Sequence, residues 1–217
     1  LPLIVSHPEV QGGRDCGALT GHVDIVPSIL SMCGVDAGRR AEFAGRELPG
    51  KDFSAVLANP GTADMHAVRE SVLFTYSGIS TNDSELIRII AEARAAGLDP
   101  KAAVQKAGYR PNMKKRGSLR TVFDGRHKFT RYFSPTERNR PESLDDLYRW
   151  NDVELFDLSA DPTEMTNLAA DPKGNAALVA AMNGKLEAII KAEIGVDEGR
   201  EMPKVEGIEW SIDRLDL

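Results

Sequence analysis

Two β-prone runs, Ser118–Phe123 and His127–Phe133, are separated by Asp124-Gly125-Arg126, and this spacing constrains the chain more than any other feature. A glycine beside an aspartate in so short a connection is a strong hairpin signal, because glycine takes the positive φ that the turn needs. An antiparallel pair is therefore expected here. Arg69–Ser77 reads as another strand and Val153–Asp157 as a further one. Asn175–Ile194 then places Leu178, Ala181, Met182, Leu186, Ile189 and Ile190 on one side at helical spacing, and Gly195 suits its stop. This half of the chain reads as α+β, with an antiparallel sheet and a C-terminal packing helix.

The first sixty residues follow a different grammar. Leu1–His7 is a short apolar run closed by Pro8, the pattern of a strand in a covered parallel sheet. Gly12-Gly13 marks a turn. Asp24 is placed to cap a helix with Pro27 in its first turn; Ile25, Ile29 and Met32 repeat at helical spacing, and Gly34 ends it. Strand, turn and helix in that order suggest an α/β layer. Residues 35–70 read as a surface connection with one short helix, Phe53–Ala58. The expected division is 1–62, the end of an α/β domain, and 63–217, a smaller α+β domain with a helical insertion at 80–116. In that insertion Asp83–Gly97 sets Leu86, Ile89, Ile90 and Ala93 against Glu85, Arg88, Glu92 and Arg94, and Asp99–Ala107 forms a second short helix. The tail from Asp197 to Leu217 has no clear period and is expected to wrap the surface. A chain that opens inside a core strand, without Met or a basic leader, is expected to be a truncation or a processed piece.

The formal charge of −6 and pI near 5.3 argue against nucleic acid or an anionic membrane as a partner. No apolar run approaches the roughly 18 residues that span a bilayer; the longest, Ile25–Cys33, is broken by Pro27, Ser28 and Ser31. Cys16 and Cys33 are too few for a disulfide scaffold and lack CxxC spacing. Free, partly buried thiols are expected, a disulfide stays open, and so does the compartment. The oligomeric state stays open as well, a homo-oligomer included.

Four segments, in order, carry a resemblance. Leu1-Pro2-Leu3-Ile4-Val5 leading to Pro8 is similar to a "VPLII…PG" strand. Val23-Asp24-Ile25-Val26-Pro27-Ser28-Ile29-Leu30, completed by Gly34, is similar to "vDlxPTll…aG", with Ser28 where Thr is usual. Arg120–Tyr132 resembles a "vRtxryKyi" hairpin, and Glu154–Leu168 resembles "ELYDLxxDPxExxNLa". Together they resemble the C-terminal portion of the sulfatase family, in the alkaline-phosphatase superfamily. The resemblance implies that 1–62 is the last strand and helix of the alkaline-phosphatase-like sheet domain. It also implies a parent that hydrolyses sulfate esters. In that family a formylglycine made from Cys or Ser in a CxPxR-type motif is the nucleophile, and a divalent cation, usually calcium, is held by Asp and Asn/Gln. Lys and His neutralise the sulfate. Neither Cys16, in Asp15-Cys16-Gly17-Ala18, nor Cys33, in Met32-Cys33-Gly34-Val35, has Pro and Arg at the required spacing. No catalytic residue and no metal ligand is therefore assigned. Formylglycine and calcium belong to the parent, whose partner is a sulfate-ester small molecule or glycan met through the missing N-terminal part. The chain alone is expected to be inactive and to expose apolar surface on Leu1–Val5 and Ile25–Leu30. Two alternatives stand beside this reading: a phosphonate or phosphate ester hydrolase of the same superfamily, and a non-catalytic binding module.

Substrate-binding candidates are His22, beside the start of the helix, and Lys114 and Arg116 in the run Lys114-Lys115-Arg116. For each the bland alternative is weighed: a packing histidine, and a solvated basic loop. His7 is open to the same two readings, and His127 is expected to be an exposed hairpin residue. Asp145-Asp146, Asp152 and Glu154 lack the ligand spacing of a calcium loop and read as a solvated acidic turn. Tyr148 and Trp150 are expected to pack beside the last strand, and Trp210 to anchor the tail. The length and charge of 78–116 suggest that this insertion borders the substrate entrance of the complete enzyme.

Overall fold

The structure is a computed structural model that describes residues 3–78, 83–110, 112, 114–134 and 141–196. The tail 197–217, with Trp210, lies outside the described residues.

Four strands, β1 (Val72–Ser77), β2 (Ser118–Phe123), β3 (His127–Phe133) and β4 (Asp152–Asp157), form one antiparallel sheet in chain order. Side chains alternate between the two faces of a strand, and the register lines up Leu73, Val122, Phe129 and Leu155 in one row across all four strands. That row meets Val179, Met182, Leu186, Ile189 and Ile190 of α6 (Ala176–Glu193). Burying each such side chain is worth about 1.5–3 kcal/mol. This layer is the centre of the fold. Val179 occupies the core position expected of Ala181, which is exposed. Arg131, on the same face, is fully buried and donates to Asn183 Oδ1 at 2.7 Å and to Glu187 on α6. On the opposite face Thr121 and Thr130 share a hydroxyl hydrogen bond of 2.9 Å, and the Lys128 ammonium lies over the Phe156 ring.

The β2–β3 connection is built as its residues demand. Gly125 has φ +91°, and Asp124 Oδ1 accepts from the N–H groups of Arg126 (3.1 Å) and His127 (2.7 Å). The hairpin tip needs glycine for its φ, and a Cβ there would also lie 2.4 Å from Met65 Sδ and displace that flexible side chain. His127 is not an exposed hairpin residue: it is half-buried, 3.9 Å from both Asp124 and Asp157.

Asn167 serves as a surrogate strand for the outer edge of β4. Its Oδ1 accepts from the N–H groups of Leu155 (3.0 Å) and Ala169 (2.9 Å), and its Nδ2 donates to the Val153 carbonyl at 3.0 Å. An edge strand's polar backbone is satisfied by a side chain that imitates a peptide group. Asp161 Oδ2, accepting from the Thr166 N–H at 2.7 Å, folds the turn that delivers Asn167 there.

The acidic stretch 145–146 corrects a sequence reading. It is not a solvated turn but the first turn of α5 (Leu144–Trp150), whose Ser143 cap accepts from the Asp146 N–H at 3.1 Å. Carboxylates at a helix start are favoured by the dipole. Tyr148 packs against the core and donates to the Ala169 carbonyl at 3.1 Å. Trp150 is exposed, with the Arg149 guanidinium stacked 4.5 Å from its ring. The insertion forms α3 (Ser84–Ala95) and α4 (Pro100–Lys106), capped by Asp83 and Asp99. These two helices pack chiefly on each other, through Leu86, Ile89 and Val104.

In the first sixty residues the helix forms and the strand does not. Residues 3–7 make no strand; Ile4 is 89% exposed, and no described strand lies beside it to supply a ladder. A 3-10 turn, His22–Asp24, leads into α1 (Ile25–Met32), and α2 is a short helix at Arg40–Ala44. α1 presents Val26 and Ile29 to solvent, 47% and 49% exposed, while its buried positions are Pro27 and Ser28. Cys16 and Cys33 are free thiols, and both are exposed rather than partly buried.

Candidate functional site

The buried charges of the N-terminal part converge on Asp24. This residue has no exposed surface, and its carboxylate accepts from the backbone N–H groups of Gly21 and Lys51, both at 2.7 Å, and from Arg69 Nη2. Asp24 therefore caps the 3-10 turn rather than α1 itself. Arg69 reaches the other way to Glu193 at the end of α6 and to the Ser71 carbonyl. Burial works against the Arg69 charge, but the Asp24 and Glu193 carboxylates more than compensate, so its pKa stands above the ordinary value. Ser28 Oγ donates to the Asp24 carbonyl at 2.7 Å and accepts from the Phe53 N–H at 2.8 Å. A hydroxyl suffices for both bonds, which explains why Ser serves at this position. Gly50 lies so close to the Val23 carbonyl that a Cβ would sit 1.8 Å from it; only glycine lets the chain pass.

Beside this node a cleft of about 580 Å³ runs between residues 49–71 and α6. Its charged lining is balanced: Lys51, Arg69 and Lys185 face Glu70, Asp124 and Glu193. Most of these groups already pair with one another, Lys185 with Asp124 and Arg69 with Glu193. The arrangement fastens α6 to the N-terminal residues. Ser71 and His66 both line it, and among the described residues their side chains form no hydrogen bond to each other; nucleophilic catalysis draws on such a hydroxyl–histidine pairing.

The sequence candidates do not meet in this cleft or in any other single place. His22 is exposed at the start of the 3-10 turn, on the side where β1 begins. Arg116 lies at the far end of the sheet, where it donates to Asp152 Oδ1 at 2.6 Å and to the Arg149 carbonyl at 2.8 Å. It staples the chain before β2 to α5 and β4. Lys114 is exposed beside it. A six-residue strand separates these ends by roughly 20 Å. His7 accepts from the Glu9 N–H at 3.2 Å within its own turn. Among the described residues no group of three His, Cys, Asp or Glu is gathered to hold a metal ion. Sequence reasoning missed Arg69 and Glu193, because a pair 124 residues apart leaves no local pattern.

No family model matches the sequence, and no curated protein matches it. Solved structures do match. A phosphonate monoester hydrolase of Agrobacterium radiobacter is 19% identical, with TM-score 0.46, over 79% of this chain and 25% of that one. A protein assigned as a sulfatase from Bacteroides thetaiotaomicron VPI-5482 is 17% identical, with TM-score 0.45, over 83% and 26%. A 2-O GAG sulfatase is 16% identical, with TM-score 0.44, over 83% and 26%. The chain is similar to these hydrolases. It spans about a quarter of the length of each. Likeness at this level assigns neither a reaction nor a residue role to this chain.

Proposed function

We propose that this chain is the C-terminal portion of a sulfatase-like hydrolase whose parent hydrolyses sulfate esters, and that the chain alone carries no turnover. The supporting observation is the ordered set of four segments, of which the second, third and fourth each have a physical use in this structure. Asp24, Pro27 and Ser28 of the second make the buried node and the helix start. Arg120–Tyr132 of the third makes the hairpin. Asp161 and Asn167 of the fourth seal the edge of β4. Such residues specify a fold and not a reaction, so the reading places the nucleophile, the cation and the sulfate-neutralising groups in the rest of the parent. His22, Lys114 and Arg116 then remain at most peripheral to substrate, and 1–62 and 63–217 belong to successive layers of the parent.

The test compares the 217-residue chain with the product of the natural reading frame that contains it, on 4-nitrophenyl sulfate and 4-nitrophenyl phenylphosphonate. The expected result is sulfate release by the complete product and none by the chain alone. Metal-dependent sulfate release by the chain alone would overturn the proposal, as would preference of the complete product for the phosphonate.

A further inference from the structure

The two outer edges of the sheet are treated differently. Asn167 satisfies the free side of β4. β1, at the other end, pairs with β2 alone, and among the described residues nothing outside β2 bonds to the backbone of Val72–Thr75. Natural edge strands carry a charge, a proline or a bulge that deters further pairing. Ser71–Ser77 reads Ser-Val-Leu-Phe-Thr-Tyr-Ser, without charge or proline, and its register against β2 is unbroken. The middle of the strand is open on both faces: Phe74 and Tyr76 are 53% and 45% exposed, and Thr75 between them is exposed as well.

The end of α6 lies beside the start of this strand. Glu193 accepts from Arg69, which also donates to the Ser71 carbonyl, and Ile194 and Val196 just beyond are exposed. The sequence continues from there through 197–217, outside the described residues. As a whole that tail has no period, but Ile208-Glu209-Trp210-Ser211-Ile212-Asp213 alternates apolar and polar residues without a break, the pattern of a half-buried strand.

We propose that Ile208–Asp213 docks as a fifth strand on the free edge of β1. Its backbone supplies the partners that the edge lacks, and Ile208, Trp210 and Ile212 extend the row of Phe74 and Tyr76 on the face away from α6. The eleven residues 197–207 lead from the last described residue to this segment. Extended, they reach roughly 35 Å, against roughly 20 Å for the whole of β1, so the edge is within range along its full length. A tethered segment meets the edge at an effective concentration on the order of a millimolar. A second copy of β1 is the competing occupant, but it must arrive from solution against the repulsion between two chains of formal charge −6. The docking does not depend on the hydrolase reading, and its test involves no turnover, so each can fail separately.

The experiment follows amide hydrogen exchange of Val72–Thr75 in the full chain and in a variant that ends at Glu206. The full chain is expected to protect the outward amides, and the shortened chain to exchange them at least tenfold faster with unchanged circular dichroism. Ile208→Lys/Ile212→Lys keeps the length and is expected to lose the same protection. Glu209→Gln/Asp213→Asn, on the polar side of the segment, is expected to change exchange less than twofold. Trp150→Phe leaves Trp210 as the only tryptophan, and its emission in the folded chain is expected to lie to the blue of that in denaturant. Equal exchange in the full and shortened chains, no loss in Ile208→Lys/Ile212→Lys, Trp210 emission unchanged by denaturant, or protection that falls on tenfold dilution, the mark of a second copy, would each overturn the proposal.

Discussion

Two helices of this chain treat their apolar residues in opposite ways. α6 turns Val179, Met182, Leu186 and Ile190 onto the sheet and closes a core that needs nothing further. α1 does the reverse. Its inward side is held by polar bonds through Ser28 and, just before it, Asp24, and Val26 and Ile29 point outward. Apolar burial is non-directional and proportional to area, whereas the Asp24 node is a set of directional bonds among buried charges. The first kind of anchoring tolerates trimming in proportion to volume; the second fails all at once when one partner is lost.

The largest effect should therefore lie at the node. Asp24→Ala or Arg69→Ala leaves the other charge buried without its partner and is expected to cost about 3–5 kcal/mol in denaturant unfolding; a loss below about 1 kcal/mol would show the node to be incidental. Leu186→Ala, which opens a cavity at the centre of the α6–sheet core, should cost about 2–5 kcal/mol. Asn167→Ala leaves the Leu155 N–H and Val153 carbonyl on the β4 edge without their side-chain partner and should cost about 1–3 kcal/mol, with faster amide exchange confined to β4. Ile29→Ala should change stability by no more than about 0.5 kcal/mol. If it costs as much as Leu186→Ala, the contrast between the helices is false.

The α3–α4 unit gives a pH counterpart. Burial raises the Asp83 pKa, but the Tyr109 hydroxyl and the Asn112 and Leu86 N–H groups outweigh it and bring the value down to about 2. The same bond, with help from burial, pushes Tyr109 up to about 12. Because the folded value lies below the ordinary 3.8, the unfolded unit binds protons more readily. The stabilisation is full above about pH 4 and is lost as pH falls through about 2. Helical circular dichroism from α3 and α4 should fall over that range in the wild type, and Asp83→Asn should flatten the transition. An unchanged transition in the variant would show that Asp83 does not tie the base of this unit.

Local chemistry was legible in the sequence, and distant pairing was not. Asp124-Gly125, the apolar spacing of α6 and the Asp83 and Asp99 caps each act within a few residues, and the hairpin and helices form as expected. α5 was legible as well: Ser143 followed three residues later by Asp146 is a capping pattern. Reading the acidic pair alone hid it. Residues 3–7 form no strand, because an apolar run specifies a strand only if a neighbouring strand is there to pair with it, and none is described beside them. Of the candidate site, Asp24 was read as a helix cap, whereas its bonds to Lys51 and Arg69 depend on how segments far apart in sequence meet.

Peptide mass mapping of the natural gene product that contains these residues tests the account most directly. A formylglycine in place of Cys or Ser within a CxPxR or SxPxR peptide, outside these 217 residues, is the result expected of a sulfatase-like parent. A gene product with neither that motif nor the modified residue would contradict it.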